Sequence, residues 1–207
     1  MQRKTKIVAI ITFLGVALDQ ITKLWVVRNL CHRQRGVRCE LPESIEVFDG
    51  WFQLVHVQNP GAAFGMLNNF EYRMMVFYVF TAIAIGVLYN LFRELKNEEG
   101  FMTAALGLIM SGAIGNLIDR VDKQSVTDFL RFYWPSEGGI GGFLTNTFGT
   151  TEYPSFNVAD MAIICGVGMF MFHYLFLEDR QGDDMEADSL AIEDPADNTV
   201  DTSTEEA

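Results

Sequence analysis

The chain has 207 residues, a length for one domain, and it is 49% hydrophobic although its net charge is −12. The segment from Glu178 to Ala207 holds 12 acidic residues and one basic residue, so the rest of the chain is close to neutral and its charge indicates no partner. Three widely spaced histidines without a His-Glu-x-x-His pattern exclude a zinc enzyme of that type, and no metal is expected.

Four apolar segments are each long enough to cross a bilayer as a helix, so we predict a polytopic membrane protein with four transmembrane helices. An even number of spans places both termini on one side of the membrane. Basic residues occur on both sides and leave the orientation open, although Lys4 and Lys6 favour a cytoplasmic N-terminus. The membrane domain is predicted over 1–177 and an acidic, disordered tail over 178–207. The predicted spans are about 7–27, 74–92, 101–118 and 158–177.

The first segment contains an acid-base pair, Asp19 and Lys23, at the i,i+4 spacing of a helix. These charges interrupt the apolar run and no Ala-x-Ala site follows, so a cleaved signal peptide is not expected. Two interpretations stay open. Lys23 extends to the headgroups with Asp19 as its counterion, or the pair fixes the geometry of a site that faces the other helices.

The loop after the first segment contains Cys31 and Cys39, which flank several basic residues. The two cysteines form a disulfide if the loop faces an oxidising compartment, and otherwise they are free thiols. Their spacing does not decide between these alternatives.

Two short strands are predicted between Ile45 and Gln58. β-Branched and aromatic residues alternate with polar residues on both sides of Asp49 and Gly50, which indicates a hairpin. Residues 59–61 read Asn-Pro-Gly and predict a turn before the second span. His56 is expected on the surface of a strand rather than in the role of a base.

The third segment carries small and polar residues in helical register. Gly107, Ser111 and Gly115 lie four positions apart, a pattern typical of a helix packed closely against a neighbour. A side-chain amide at membrane depth needs a partner, so the asparagine on the adjoining face suggests a site. The alternative is that the aspartate and the arginine that follows it simply form an interfacial ion pair at the end of the helix. The residues concerned are Gly112, Asn116, Asp119 and Arg120.

The polar stretch between the third and fourth spans leads from Asp128 to Asp160. We expect a loop there, with a glycine-rich, flexible insertion at 138–151. Asp160 falls in the first turn of the fourth helix, where the helix dipole favours a carboxylate.

Two aspartates that share a site cannot both ionise easily, so one keeps a proton while the other stays charged. Such a pair activates water and polarises a peptide carbonyl without a metal or a nucleophilic side chain. Asp128 and Asp160 suit this role because neither has an adjacent basic residue. Asp19 and Asp119 reach the same face but have basic neighbours, so physics alone does not select the pair. An ion path through these acids and a non-catalytic scaffold are the competing functions.

Five sequence blocks resemble bacterial lipoprotein signal peptidase (type II signal peptidase) and occur in that family's order. They are Asp19 to Lys23, Asn59 to Gly65, Gly112 to Arg120, Val126 to Phe129 and Phe156 to Asp160.

The resemblance implies a four-helix enzyme of the bacterial cytoplasmic (inner) membrane, with a small extracytoplasmic β-cradle over about 45–67. It places the active site near the outer face and requires no cofactor. It implies an intramembrane aspartyl endopeptidase that cleaves prolipoproteins before a diacylglyceryl-modified cysteine, with membrane lipids as partners and no nucleic acid. It also implies that Asp128 and Asp160 are catalytic. The substrate-binding or site-supporting positions that it implies are Asp19, Lys23, Asn59, Gly61, Gly112, Asn116, Asp119, Arg120, Asn157 and Ala159.

The stretch between the two catalytic positions is long for this family, and the loop between the cysteines and the acidic tail are further additions. We hypothesise that residues 138–151 form a mobile flap over the dyad.

Overall fold

The computed structural model describes residues 2–32, 39–61, 72–134 and 139–176. Parts of several sequence predictions lie outside these ranges: the end of the β-cradle after residue 61, residue 138 of the insertion, residue 177 of the fourth span, and the acidic tail. The elements in chain order are α1 (Arg3–Asn29), β1 (Ser44–Phe48), β2 (Phe52–Asn59), α2 (Arg73–Glu94), α3 (Gly100–Lys123), β3 (Val126–Phe132), α4 (Gly139–Phe148) and α5 (Val158–Phe176).

Four of the described helices are long and apolar enough to cross a membrane, which confirms the predicted fold class. They are α1, α2, α3 and α5, and they begin within a few residues of the predicted positions. The chain divides into a compact unit, Met1–Met169, and a second unit, Phe170–Ala207, whose described residues are the last turns of α5. The residues of the candidate site all lie within the first unit.

Helices α1 and α3 pack closely, as the small residues of α3 predict. The Thr12 hydroxyl donates to the backbone carbonyl of Gly107 (3.2 Å). A Cβ atom added at Gly15 would lie 2.5 Å from the Ser111 hydroxyl oxygen, and one added at Gly107 would lie 3.0 Å from the Ile11 side chain. Larger residues at these positions would force the two helices apart.

The sheet has three antiparallel strands in the order β1-β2-β3. Its hairpin turns at Asp49 and Gly50, and Gly50 has φ +75°, the left-handed region that glycine adopts without strain. The third strand, β3, comes from the stretch that we predicted to be a loop, and it contains Asp128. A small core joins the sheet to the end of α1 through Val26, Leu30 and Phe129.

Three further features resolve or correct the sequence predictions. Cys31 and Cys39 form a disulfide. His56 is buried rather than on the strand surface, because its ring contacts the backbone carbonyl of Leu30 at the end of α1 (3.1 Å). The predicted glycine-rich loop contains the helix α4, whose apolar residues recur at three- and four-residue intervals, and Gly149 (φ +70°) ends it.

Helix α3 is longer than predicted and continues to Lys123. It ends at Gln124, which has φ +56° and closes the helix in the left-handed conformation. Asp119 therefore lies inside the helix, one turn before its end, and its side chain faces neighbouring elements rather than the exit.

Candidate active site

Asp128 and Asp160 lie in different elements at the same end of the helices. Strand β3 pairs with β2 so that Asp128 is opposite Val57, close to Asn59 at the end of β2. Asp160 is in the first turn of α5. Its carboxylate accepts a hydrogen bond from the backbone amide of Asn157 (3.1 Å), and the side-chain oxygen of Asn157 accepts one from the backbone amide of Asp160 (3.0 Å). This reciprocal pair is a capping box, and it fixes both side chains against the helix.

Two side-chain amides connect the aspartates. Asn157 donates to Oδ1 of Asp128 (2.8 Å), and Asn116 donates to Oδ1 of Asp160 (2.8 Å). Asn157 also donates to the side-chain oxygen of Asn116 (3.2 Å), which joins the two halves. Asn59 donates to Oδ2 of Asp128 (3.0 Å). These donors are all neutral, and among the described residues no ion pair involves either carboxylate.

Beneath this pair lies a buried ion cluster formed by Asp19, Lys23, Asp119 and Lys123. The Lys23 ammonium is 2.8 Å from Asp19 and 3.1 Å from Asp119, and Lys123 is 3.1 Å from Asp119. Lys23 and both aspartates are at most 1% exposed. Lys23 also donates to the side-chain oxygen of Asn116 (3.2 Å), so the cluster orients an amide that contacts Asp160.

The same cluster holds α5 and β3 in place. Oδ1 of Asp19 accepts from the backbone amide of Ala159 (3.0 Å), one of the unpaired amides at the start of α5. Oδ2 of Asp119 accepts from the backbone amide of Thr127 (3.0 Å), next to Asp128. Each catalytic candidate is therefore tied to a buried carboxylate through the backbone of its own element.

The close approach of α3 to α5 and to α1 near the two aspartates depends on two glycines of α3. A Cβ atom on Gly112 would overlap the carbonyl oxygen of Ala159 and lie 2.6 Å from Cγ1 of Ile163. A Cβ atom on Gly115 would lie 2.6 Å from Oδ2 of Asp19. These positions therefore admit only glycine without displacement of α5 or of the ion cluster.

A cavity of about 640 Å³ opens over the two aspartates, and we call it the active-site cleft. One wall consists of the ends of β2 and α3, and the other comes from residues 150–156. Its lining residues include Gln58, Asn59, Gly61, Asn116, Arg120, Asp128, Arg131, Glu152, Tyr153, Ser155, Phe156 and Asp160.

Burial, strengthened by the charge of Asp160, raises the pKa of Asp128 to about 7, against the smaller opposing effects of the amides of Asn59 and Asn157. Asp128 is 3% exposed, so loss of solvation is the main cause. A carboxyl group with this pKa is about half protonated at pH 7, whereas an ordinary aspartate is almost fully ionised there. The cleft thus offers one acid on β3 that can hold a proton near neutral pH and a second carboxyl group at the positive end of a helix dipole.

The predicted site residues divide into two groups. Asp128, Asp160 and four supporting positions line the active-site cleft, namely Asn59, Gly61, Asn116 and Arg120. The remaining positions lie beneath it and contact those residues or their elements: Asp19, Lys23, Gly112, Asp119, Asn157 and Ala159.

The suggested ion pair between Asp119 and Arg120 is not among the ion pairs of the described residues. Asp119 pairs with Lys23 and Lys123 instead. The Arg120 guanidinium donates to the backbone carbonyl of Asn116 (3.3 Å) and lies 4.4 Å from the centre of the Phe77 ring. Arg120 is therefore free to face the active-site cleft.

Several residues of the site were missed by the sequence analysis. The Lys123 ammonium and the Gln58 amide both donate to the Thr127 hydroxyl (3.4 and 3.2 Å). The acid-base spacing of Asp119 and Lys123 in one helix is a signal that would have found Lys123. Arg131 and Glu152 also line the active-site cleft, and no local pattern in the sequence connects them.

Comparisons with known proteins agree with this geometry. Residues 11–176 match the family described as Signal peptidase (SPase) II. The chain is 37% identical to the lipoprotein signal peptidase of Geobacter metallireducens, over 89% of this chain and 99% of that protein. It is 38% identical to the lipoprotein signal peptidase of Geobacter sulfurreducens, over 81% and 90%. A bacterial membrane enzyme solved by the in meso method at 1.9 Å resolution superposes with a TM-score of 0.60 and 27% identity, over 82% of this chain and 93% of that chain.

Proposed function

The chain belongs to the signal peptidase II family and is a multi-pass bacterial membrane protease that removes signal peptides from prolipoproteins, and we propose that Asp128 and Asp160 are its catalytic pair. The observation that carries this proposal is the pair of linked amides, Asn157 and Asn116. Each donates to one of the two carboxylates, and the two amides contact each other at the base of the active-site cleft.

The raised pKa of Asp128 and the position of Asp160 at a helix N-terminus support a division of roles between the two acids. Asp160, as the carboxylate, takes a proton from water while the water oxygen bonds to the scissile carbonyl carbon. Asp128 gives its proton to the carbonyl oxygen in the same step. As the C–N bond breaks, Asp160 returns a proton to the leaving nitrogen and Asp128 recovers its proton from the hydroxyl group. The products are a free carboxyl end and a free amine.

The other predicted positions support this pair in distinct ways. Asn59 orients Asp128, and Asn116 and Asn157 hold the two acids together. Gly61 and Arg120 line the active-site cleft and contact the substrate. Asp19, Lys23 and Asp119 set the positions of α5 and β3, while Gly112 and Ala159 permit the approach of α5 to α3.

The substrate is a prolipoprotein cleaved before a diacylglyceryl-modified cysteine. Its lipid chains stay in the bilayer, so membrane lipids are partners of the enzyme and no nucleic acid is involved. The protein lies in the bacterial cytoplasmic (inner) membrane with its termini in the cytoplasm and the active-site cleft near the outer face. The disulfide between Cys31 and Cys39 supports this orientation, because it lies at the site end of α1 and disulfides persist in oxidising compartments.

The catalytic assignment is tested by assaying cleavage of a diacylglyceryl-modified prolipoprotein by the purified full chain. We expect Asp128→Asn and Asp160→Asn each to lower kcat by at least about a hundredfold while they keep the wild-type thermal unfolding in detergent. Asp122→Asn, at an exposed position of α3, is the matched control and should keep full activity. Full activity of either site variant would remove that aspartate from the mechanism.

Orientation is tested in cells that carry the protein without its free thiol, in the background Cys165→Ala. A cysteine introduced at the exposed Ser44, the first residue of β1, should react with a membrane-impermeant maleimide. One introduced at the exposed Glu98, between α2 and α3, should react only after permeabilisation. The reverse pattern would place the active-site cleft on the cytoplasmic side.

A further inference from the structure

The wall of the active-site cleft opposite β2 is formed by residues 150–156, which pair with the free edge of β3. The Tyr153 amide donates to the Phe132 carbonyl (2.9 Å), and Leu130 and Phe156 exchange backbone hydrogen bonds (2.9 and 3.0 Å). The Trp134 amide donates to the Thr151 carbonyl (3.0 Å). The strand that carries Asp128 thus also fixes this wall, and the side chains on the wall have defined positions.

An ion pair on this wall faces the active-site cleft. The Arg131 guanidinium lies 3.3 Å from Oε2 of Glu152, and its Nε donates to the Ser155 hydroxyl (3.1 Å). The side chain of Arg131 is 9% exposed, whereas that of Glu152 is 46% exposed. A substrate in the cleft therefore meets the carboxylate rather than the guanidinium. Among the described residues, Oε1 of Glu152 accepts no hydrogen bond, so it can take one from a ligand.

The position of this carboxylate selects the part of the substrate that reaches it. Residues 150–156 lie between α3 and α5, outside the membrane-spanning segments. The signal peptide of a prolipoprotein is apolar and remains in the bilayer, because charged side chains are costly there. The residues that follow the lipid-modified cysteine continue into water, so they are the part of the substrate that passes a charged wall above the dyad.

We propose that the Glu152 carboxylate, held by Arg131, is a specificity determinant that favours prolipoproteins with a basic side chain shortly after the lipid-modified cysteine. This inference rests on the proposed function and adds a preference within its substrates. A contact between exposed opposite charges is worth up to about 1 kcal/mol, which corresponds to a preference of about two- to fivefold.

The test uses pairs of prolipoproteins that differ only in one residue after the cysteine, which is lysine in one member and glutamate in the other. We expect the wild-type enzyme to cleave the lysine member with a kcat/KM about two- to fivefold higher at the position that faces Glu152, and the ratio should fall as salt is added. In Glu152→Gln the ratio should fall to one or below, because the carboxylate that attracts lysine is gone while the positive charge of Arg131 remains.

Glu46→Gln is the matched control, because Glu46 is an exposed glutamate of β1 and is not among the described residues that line the active-site cleft. This variant should keep the wild-type ratio. A wild-type ratio of one at every position would overturn the proposal, and so would a ratio that persists in Glu152→Gln or an equal loss of rate on all substrates in that variant. Failure of the proposed function is a separate result, in which the wild-type enzyme cleaves no prolipoprotein.

Discussion

Helices α2 and α3 are both apolar enough to span a membrane, yet they have different surroundings. The most apolar stretch of α2 has a mean hydropathy of 2.0 and is 6% buried by protein, whereas that of α3 has 1.7 and is 50% buried. A Cβ atom on Gly86 of α2 would meet nothing within 4 Å, whereas one on Gly112 of α3 would collide with α5. Apolarity thus identifies a span, and small or polar residues at helical spacing identify the span that carries the site.

The polar contacts of α2 also differ from those of α3. Its polar contacts are with the ends of other helices: Lys4 donates to the Phe92 carbonyl at its C-terminus (3.0 Å), and the Tyr78 hydroxyl donates to the Arg120 carbonyl (3.1 Å). In α3, by contrast, Asn116 and Asp119 are buried along the helix. Asn116 donates to Asp160, and Asp119 accepts from the backbone amide of Thr127, next to Asp128. Substitutions on the two helices should therefore differ in consequence, and the following predictions test that difference.

The largest effect is expected where α3 meets α1, in Lys23→Met. This change removes the cation between Asp19 and Asp119 and leaves two buried carboxylates beside each other. Breaking a buried pair in this way costs about 3–5 kcal/mol, so the variant should unfold at a much lower temperature in detergent and lose cleavage activity. Lys6→Met, at an exposed position of the same helix, is the control. Equal thermal stability of the two variants would show that the ion cluster does not support the fold.

A smaller effect is expected from one added methyl group, in Gly112→Ala. The new Cβ would force the start of α5 away from α3, which costs about 1–3 kcal/mol and moves Asp160 relative to Asp128. A displacement of about 1 Å can lower the rate by roughly a hundredfold. Gly86→Ala is the same substitution on α2 and should leave kcat unchanged, with stability unchanged or slightly raised by helix propensity. Equal losses in both variants would contradict the distinction between the two helices.

The difference between the two helices also explains how far the sequence predicts the site. The four spans follow from apolar length, and the resemblance to a family selected Asp128 and Asp160 among four acids. An ion pair between Asp119 and its sequence neighbour Arg120 was one alternative that the sequence left open, and it is not among the ion pairs of the described residues. Adjacent residues of a helix point about 100° apart, so the true partners are Lys123, one turn on, and Lys23 of another helix.

Strand β3 and helix α4 were both predicted as loop, each for a physical reason. Strand β3 is buried along most of its length on both faces, so its sequence lacks the polar alternation that identifies a half-exposed strand. Helix α4 contains several glycines, a composition typical of a flexible loop. The wall that Glu152 occupies also depends on backbone pairing with β3, which no local sequence pattern contains. Long-range pairing, rather than local propensity, therefore decides the parts of the site that the sequence did not predict.

The mildest test changes no residue and varies the pH. Because the pKa of Asp128 is raised to about 7 and its protonated form donates the proton to the carbonyl, kcat/KM should fall as the pH rises through about 7. Above that value the loss should approach tenfold for each pH unit, since the protonated fraction falls in that proportion. Gly86→Ala on α2 should share this profile with the wild-type enzyme, because α2 does not line the active-site cleft. A rate that stays constant between about pH 6 and pH 9 would contradict the assignment of Asp128 as the proton donor.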